Sequence, residues 1–214
     1  MNVLMTGFDP FGGESINPAA EAIYHLNNTT IAGTNVHTMV IPTVRYEAIK
    51  AMQKGIDQYD PSLIICVGQA GGRPDITIER VAINIDDFRI KDNAGNQPID
   101  EPIVAGGSAA YWSTLPIKKI VTTLRQHNIP ASISQSAGTF ICNHLFYGLM
   151  DTLAKEGNTR RGGLIHIPYL PEQAARNPGQ PSMSLDVIIR GLKLAVETAL
   201  YYKEDEKSCG GTLC

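Results

Sequence analysis

The sequence predicts an α/β protein of a single domain, with a mainly parallel twisted sheet and helices on both of its faces. Short apolar segments alternate with helical patterns along the 214 residues, which is typical of parallel strand–helix–strand units. The segment 62–68 (SLIICVG) is apolar almost throughout, as in strands that helices cover on both sides. No internal repeat, linker or change of composition divides the chain. We therefore expect one domain over residues 1–202, followed by a flexible tail over 203–214.

The strands are expected at five short apolar segments: 2–6, 36–42, 62–68, 131–134 and 163–167. Residues 76–90 (ITIERVAINIDDFRI) alternate in places with a period of two, which indicates an extended piece or a hairpin. The segment 91–102 is polar and rich in turn-forming residues, and it predicts a long loop.

Helices are expected between these strands. Asn17 and Pro18 fit the N-cap and the first position of a helix that continues through AAEAIYHLNN. Helical spacing of apolar residues, such as Ile49, Met52 and Ile56, predicts an amphipathic helix at 46–59. Further helices are expected at three segments: 115–127, 143–155 and 185–202.

The composition excludes several classes of protein. Hydrophobic residues make up 43% of the chain, which excludes a disordered protein, and the longest apolar runs are too short to cross a bilayer. A net charge of −3 without a basic run argues against nucleic acid as a partner. The N-terminus lacks the pattern of a signal peptide, so we expect a cytoplasmic protein with no membrane partner. Charged residues are only 18%, below the roughly 25% of ordinary soluble domains.

Known cofactor and metal motifs are absent from the sequence, so we expect neither a cofactor nor a metal. There is no P-loop, no G-x-G-x-x-G, no H-E-x-x-H and no G-x-S-x-G. The four cysteines do not form a disulfide framework. Two of them, Cys209 and Cys214, lie in a Gly-rich tail, which is either a frayed end or the site of an occasional disulfide between subunits.

The candidate nucleophile is Cys142. It follows the turn SAGTF and opens the helical segment CNHLFYGLMDTLAK. The unpaired N–H groups and the dipole at a helix N-terminus favour an anion, and they could donate to an oxyanion. The alternative is that Cys142 packs as an ordinary side chain. Cys66, inside an apolar strand, is expected to be an inert core residue.

A cysteine nucleophile needs a base, and His166 is the candidate. It lies in GLIHIPYLP near the end of a strand, where open α/β sheets place their sites. The alternative is a buried structural histidine. His144 is two residues from Cys142, but on a helix such side chains point about 200° apart, so we reject it. The other three histidines, His25, His37 and His127, have no acid-rich or Gly-rich sequence around them.

The third member is a carboxylate that orients the imidazole, and Glu79 is the candidate. An acid among the β-branched residues of DITIERVAINI is unusual and needs a partner. Asp86 and Asp87 are rivals at the polar edge of that segment. An ion pair of Glu79 with Arg73 or Arg80 is the structural alternative.

These residues lie in blocks that resemble the pyroglutamyl peptidase I family, also called pyrrolidone carboxyl peptidases. The resemblance covers about residues 1–200, in the blocks MTGFDPFGGESINPA, VGQAGGR, ITIERVAINIDDFRI, SAGTFICNHLFYGLMD and GLIHIPYLPEQ. It implies a cysteine peptidase that removes an N-terminal pyroglutamate, with Glu79, Cys142 and His166 as the catalytic triad. It also implies a homotetramer that uses no cofactor.

The resemblance further implies a pocket for the lactam ring of pyroglutamate. Four apolar residues would enclose the ring: Phe8, Phe11, Phe140 and Ile141. Asn17 and Gln69 are the polar candidates around it, and Arg89 would lie near the oxyanion. The chain departs from the family pattern at Asp87-Phe88, and its tail CGGTLC lies outside that pattern.

A small neutral ring requires aromatic faces and one or two hydrogen bonds, which fits such a pocket. Without the resemblance, core packing is the ordinary role of Phe8 and Phe11. Two other functions remain as alternatives. One is a non-catalytic α/β module that binds a purine or a nucleoside, and the other is a thiol amidase of different specificity.

Overall fold

The centre of the molecule is a sheet of seven strands in the order β2-β3-β1-β4-β9-β5-β8, seen in a computed structural model that describes residues 1–211. A separate pair, β6 and β7, forms a second sheet. The strand bounds are β1 Asn2–Phe8, β2 Thr30–Ile31, β3 Thr34–Ile41, β4 Leu63–Gln69, β5 Ile76–Glu79, β6 Val81–Ile83, β7 Ala110–Trp112, β8 Ala131–Ser134 and β9 Arg161–Ile167.

Strands β3, β1, β4 and β9 are mutually parallel and form the middle of the sheet. Strand β5 runs antiparallel to β9, and β8 runs parallel to β5. The short edge strand β2 is antiparallel to β3. The expected mainly parallel α/β sheet is confirmed, with its antiparallel pairings near the two edges.

The described residues form six helices, of which the first four lie between strands and the last two follow β9: α1 Pro18–Tyr24, α2 Glu47–Tyr59, α3 Ile117–Gln126, α4 Ile141–Lys155, α5 Pro171–Arg176 and α6 Leu185–Tyr201. Two apolar clusters cover the two faces of the sheet, one with α1, α3 and α6 and the other with α2 and α4. Strand β4 contributes alternate residues to them: Ile65 and Val67 to the first, Ile64 and Cys66 to the second. Its continuous apolar sequence follows from burial on both faces.

The local signals for helix starts have different outcomes. Asn17 is the N-cap of α1, and its Oδ1 accepts the backbone N–H of Ala19 at 3.0 Å, as the sequence predicts. Helix α4 begins at Ile141, two residues before the predicted start at residue 143. Cys142 therefore lies in the first turn of that helix.

The described part of the tail lies against α3. The carboxylate of Asp205 accepts the backbone N–H groups of Lys118 and Lys119, both at 3.0 Å from Oδ1. The N-cap residue of α3, Pro116, makes no side-chain cap, so Asp205 takes that role. Cys209 is exposed, and Cys214 lies outside the described residues. The flexibility of the whole tail stays a prediction.

Candidate active site

Three elements bring the predicted nucleophile and base together. Cys142 is in the first turn of α4, His166 is one residue from the end of β9, and Gly68 of β4 pairs in register with His166. A Cβ atom placed on Gly68 would be 2.9 Å from Cys142 Sγ and 3.1 Å from His166 Nε2. The sulfur and the imidazole therefore meet over the one position where β4 has no side chain.

Glu79 lies on the other side of the same imidazole. It is the last residue of β5, it is fully buried, and its Oε1 is 2.7 Å from His166 Nδ1. Thr77 pairs directly with His166 in the antiparallel β5–β9 ladder. Glu79, two residues further along, shares the same face of the sheet, which is how its carboxylate reaches the ring.

The surroundings favour the charged forms of both His166 and Glu79. Burial alone would lower the pKa of His166, but the adjacent Cys142 and Glu79 side chains outweigh it and raise the pKa to about 9. Burial would raise the pKa of Glu79, yet its contact with His166 and further hydrogen bonds, including one from Arg73, lower it. At neutral pH the site therefore holds an imidazolium beside an ionised carboxylate.

The alternatives that the sequence left open for Glu79 have clear outcomes. Nη1 of Arg73 donates to Glu79 Oε1 at 2.7 Å, so the carboxylate has an arginine partner in addition to His166. Arg80 makes no ion pair with it in the described structure, and its Nη2 donates to the carbonyl oxygen of Gly210 at 2.9 Å. Asp86, the first rival acid, is buried against His144.

The rejected candidates differ from the site in their surroundings. Both ring nitrogens of His144 are engaged, Nδ1 by Asp86 at 2.9 Å and Nε2 by the backbone N–H of Tyr46 at 2.8 Å. No nitrogen of that ring is left for Cys142. Cys66 is fully buried, and burial raises the pKa of its thiol to about 12, which makes it a poor nucleophile. Cys142 itself is partly exposed.

An open cavity of about 350 Å³ adjoins the first turn of α4. Six residues line it: Phe11, Asp87, Arg89, Ile90, Thr139 and Phe140. The ring centroids of Phe11 and Phe140 are 5.8 Å apart, and Phe88 packs behind Phe140 with centroids 4.8 Å apart. Three predicted pocket residues, Phe11, Arg89 and Phe140, thus line one cavity. Sequence reasoning missed Ile90 and Thr139, although each directly adjoins a residue it selected.

The remaining predicted pocket residues do not line this cavity. Phe8 and Ile141 are 2% and 1% exposed and belong to the apolar cluster under α2 and α4. The side chain of Asn17 caps α1 and donates to the carbonyl oxygen of Asp9. Gln69 ends β4, and its Oε1 accepts from the buried Gln173 at 3.0 Å. Their contact with a substrate stays a prediction.

The first turn of α4 offers backbone donors. Phe140 is its N-cap in an extended conformation, and no side chain caps the helix. The N–H groups of that turn, next to Cys142, are therefore available to an oxyanion. Within residues 1–211, no group of three His, Cys, Asp or Glu side chains is arranged to hold a metal ion, and no helix is long and apolar enough to span a membrane.

Comparison with known proteins identifies the family. A sequence model of pyroglutamyl peptidase matches residues 1–202. The pyrrolidone-carboxylate peptidase of Bacillus cereus is 59% identical over 210 residues, 98% of each chain. The crystal structure of pyroglutamyl peptidase I from Bacillus amyloliquefaciens is 50% identical with a TM-score of 0.95, covering 97% of this chain and 99% of that one. A mutant pyrrolidone carboxyl peptidase from Pyrococcus furiosus is 43% identical with a TM-score of 0.91, covering 94% and 99%. The family suggested by the sequence blocks is confirmed, and the chain belongs to the pyroglutamyl peptidases.

Proposed function

We propose that this chain hydrolyses the bond after an N-terminal pyroglutamyl residue of peptides and proteins, with Cys142, His166 and Glu79 as its catalytic triad. The observation that carries the proposal is a single line of contacts, from buried Glu79 through His166 to Cys142 in the first turn of a helix. Nucleophile, base and orienting acid in that order are what acyl transfer by a thiol requires. The names of the relatives supply the substrate.

The reaction proceeds in two halves. His166 holds the proton taken from the Cys142 thiol, and the thiolate attacks the carbonyl carbon that joins pyroglutamate to the next residue. The C–N bond breaks as His166 gives its proton to the leaving amine, which leaves a thioester on Cys142. Water then attacks the thioester and gives a proton to His166. The C–S bond breaks, pyroglutamate leaves, and the thiolate of Cys142 beside the protonated His166 is restored.

The geometry fits each step of this sequence. A pKa of His166 near 9 means that the ring can keep the proton it takes from Cys142 at neutral pH. The N–H groups in the first turn of α4 stabilise the oxyanion, with Arg89 in the cavity wall as a further donor. Water can attack the thioester from the position that the leaving amine has vacated.

The pocket recognises the lactam as a small neutral ring. Phe11 and Phe140 present aromatic faces to it, and Phe8 and Ile141 support them from the core. Asn17 and Gln69 are the proposed polar partners of its amide. Pyroglutamate has no free α-amine, so an anionic anchor of the kind that holds ordinary N-termini is not needed here.

The decisive experiment compares two cysteine variants on a pyroglutamyl-anilide substrate. Cys142→Ser is expected to abolish cleavage, whereas Cys66→Ser keeps most of it because that thiol is buried in the core. A protein that still cleaves after Cys142→Ser has another nucleophile, and the proposal would then be wrong.

The lactam pocket is tested with peptides that share every residue after the first. The pyroglutamyl peptide is expected to be cut, and the same peptide with N-terminal Glu or Gln is expected to stay intact. Equal cleavage of all three would indicate a thiol amidase of another specificity. Rapid, selective alkylation of Cys142 by iodoacetamide near neutral pH would argue against a purely binding module.

We also propose that the enzyme works as a cytoplasmic homotetramer. The large exposed side chains Tyr24 and Trp112, 77% and 67% accessible, suit contacts between subunits, as does the low share of charged residues. The catalytic domain would then be residues 1–202, with 203–214 as a tail. Light scattering at working concentration tests the assembly, and a clean monomer would contradict it.

A further inference from the structure

The catalytic carboxylate shares one of its oxygens between two cations. Oε1 of Glu79 is 2.7 Å from His166 Nδ1 and also 2.7 Å from Arg73 Nη1. Glu79 is fully buried, while the side chain of Arg73 is 30% exposed. The arginine therefore reaches in from the loop after β4 and contacts the same atom that orients the base.

The same guanidinium also contacts two other parts of the site. Its Nη1 donates to the hydroxyl of Thr77 at 2.6 Å, and its Nη2 donates to the carbonyl oxygen of Ser136 at 3.0 Å. Thr77 pairs with His166 in the sheet, and Ser136 lies in the turn that leads into Cys142. A planar fork with fixed donors can hold such a set in one arrangement, whereas an ammonium group cannot.

We propose that Arg73 is a positioning residue of the reaction: it fixes Glu79 against the turn before Cys142, and its charge limits how tightly His166 holds its proton. The inference rests on the proposed function, because the proton of His166 is the one that the leaving amine must receive. An acid that holds its proton too tightly transfers it slowly at neutral pH.

The sign of the effect follows from the groups that face this site. Three groups face Glu79: His166 on β9, Arg73 in the loop after β4 and Ser134 on β8. His166 also faces Cys142, which lies on α4. Without the positive charge of Arg73, the negative charge of Glu79 acts on the imidazolium with no opposing charge beside it. The pKa of His166 should then rise further above its ordinary value, and the pKa of Glu79 should be depressed less.

The test compares the pH dependence of kcat/KM for three variants. In Arg73→Gln we expect both limbs of the profile to move to higher pH, by about one unit. In Arg73→Lys, which keeps the charge and loses the fork, the limbs should stay in place while kcat falls by up to about 100-fold through misplacement. Arg80→Gln removes an equal charge that is next to Glu79 in sequence but makes no ion pair with it, and should move neither limb.

A measurement without substrate separates this inference from the proposed function. The imidazole signal of His166 in the full chain is identified by its loss in His166→Gln, and it should titrate at higher pH in Arg73→Gln than in the native protein. If the native protein fails to cut the pyroglutamyl-anilide, the function is wrong, while the titration still decides the role of Arg73. Arg73→Met serves as a second neutral variant if the glutamine destabilises the fold. Unmoved limbs with an unmoved titration, or the same shift in Arg73→Lys, would overturn the proposal.

Discussion

Residues 1–211 contain two buried histidine–carboxylate pairs, and only one of the two has the geometry of an active site. His166 faces Glu79, and His144 faces Asp86, with Nδ1 toward the carboxylate in both pairs. The distances are 2.7 and 2.9 Å, and all four side chains are nearly or fully buried. Burial and pairing with an acid therefore do not distinguish the two histidines.

The second ring nitrogen distinguishes them. Nε2 of His144 accepts the backbone N–H of Tyr46 at 2.8 Å, so that ring links α4 to the start of α2. Nε2 of His166 lies beside Cys142 Sγ, across the bare position of Gly68. A histidine whose two nitrogens both meet structural partners serves as a clamp, whereas one that keeps a nitrogen toward a nucleophile can move a proton.

Exchanging each histidine for glutamine should give the largest contrast. His166→Gln is expected to lower kcat/KM on a pyroglutamyl-anilide by about 10⁴-fold or more, because no base is left for Cys142. His144→Gln should keep most of kcat/KM but lower the free energy of unfolding by about 3 kcal/mol, since Asp86 would lose a buried partner.

The two variants control each other, with activity and urea unfolding measured on both. Equal losses of activity at matched stability would remove the distinction between the two pairs.

Neutralising each acid should give the next largest contrast. Glu79→Gln is expected to lower kcat by about 10³-fold, because the imidazole loses its orienting charge. The pKa of His166, raised to about 9 in part by Glu79, should fall. The alkaline limb of the activity profile, which follows loss of the proton from His166, therefore moves from about pH 9 to lower pH.

Asp86→Asn is the matched control for this second contrast. It should leave the alkaline limb in place, because Asp86 contacts His144 and Arg45 rather than the catalytic ring. An alkaline limb that moves in both variants would mean that the two pairs are coupled.

A smaller change can disturb the catalytic pair alone. In Gly68→Ala the new methyl group would be 2.9 Å from Cys142 Sγ and 3.0 Å from His166 Cδ2, closer than such contacts allow. The sulfur and ring must separate, and a displacement of this size lowers kcat by about 100-fold. Gly211→Ala meets open space and serves as the control. An active Gly68→Ala protein with native kinetics would contradict the close approach on which the site depends.

Sequence predicted the parts of this comparison that depend on local pattern. The continuous apolar run of β4 and the acid set among β-branched residues in β5 both carry signals within a few residues. Helix geometry alone predicts that His144 is not a partner of Cys142, and both of its ring nitrogens have other partners. Its actual partners are 58 and 98 positions away in the chain, beyond the reach of any local pattern.

Other features depend on tertiary contacts. Strand β2 has two residues and β7 three, and both exist only through their pairing, so neither was predicted. The same holds for α5, a helix of six residues. The antiparallel direction of β5, which brings Glu79 to His166, leaves no mark in the sequence. Spacing alone could not reveal that Glu79 contacts Arg73 and His166 together.

The smallest expected effect concerns how the structural pair is held. Tyr46 has a φ of 59°, and its backbone N–H, rather than its ring, is the donor to His144. Tyr46→Gly keeps that donor and relieves about 1 kcal/mol of backbone strain. It also removes the ring contacts with His144 and Arg45, worth together about 2 kcal/mol. The free energy of unfolding should therefore fall by only about 1 kcal/mol, with native kcat/KM. Tyr46→Phe, which keeps the ring and the φ, gives the reference for urea unfolding. A loss as large as that of His144→Gln would mean that the ring, not the N–H group, holds the clamp.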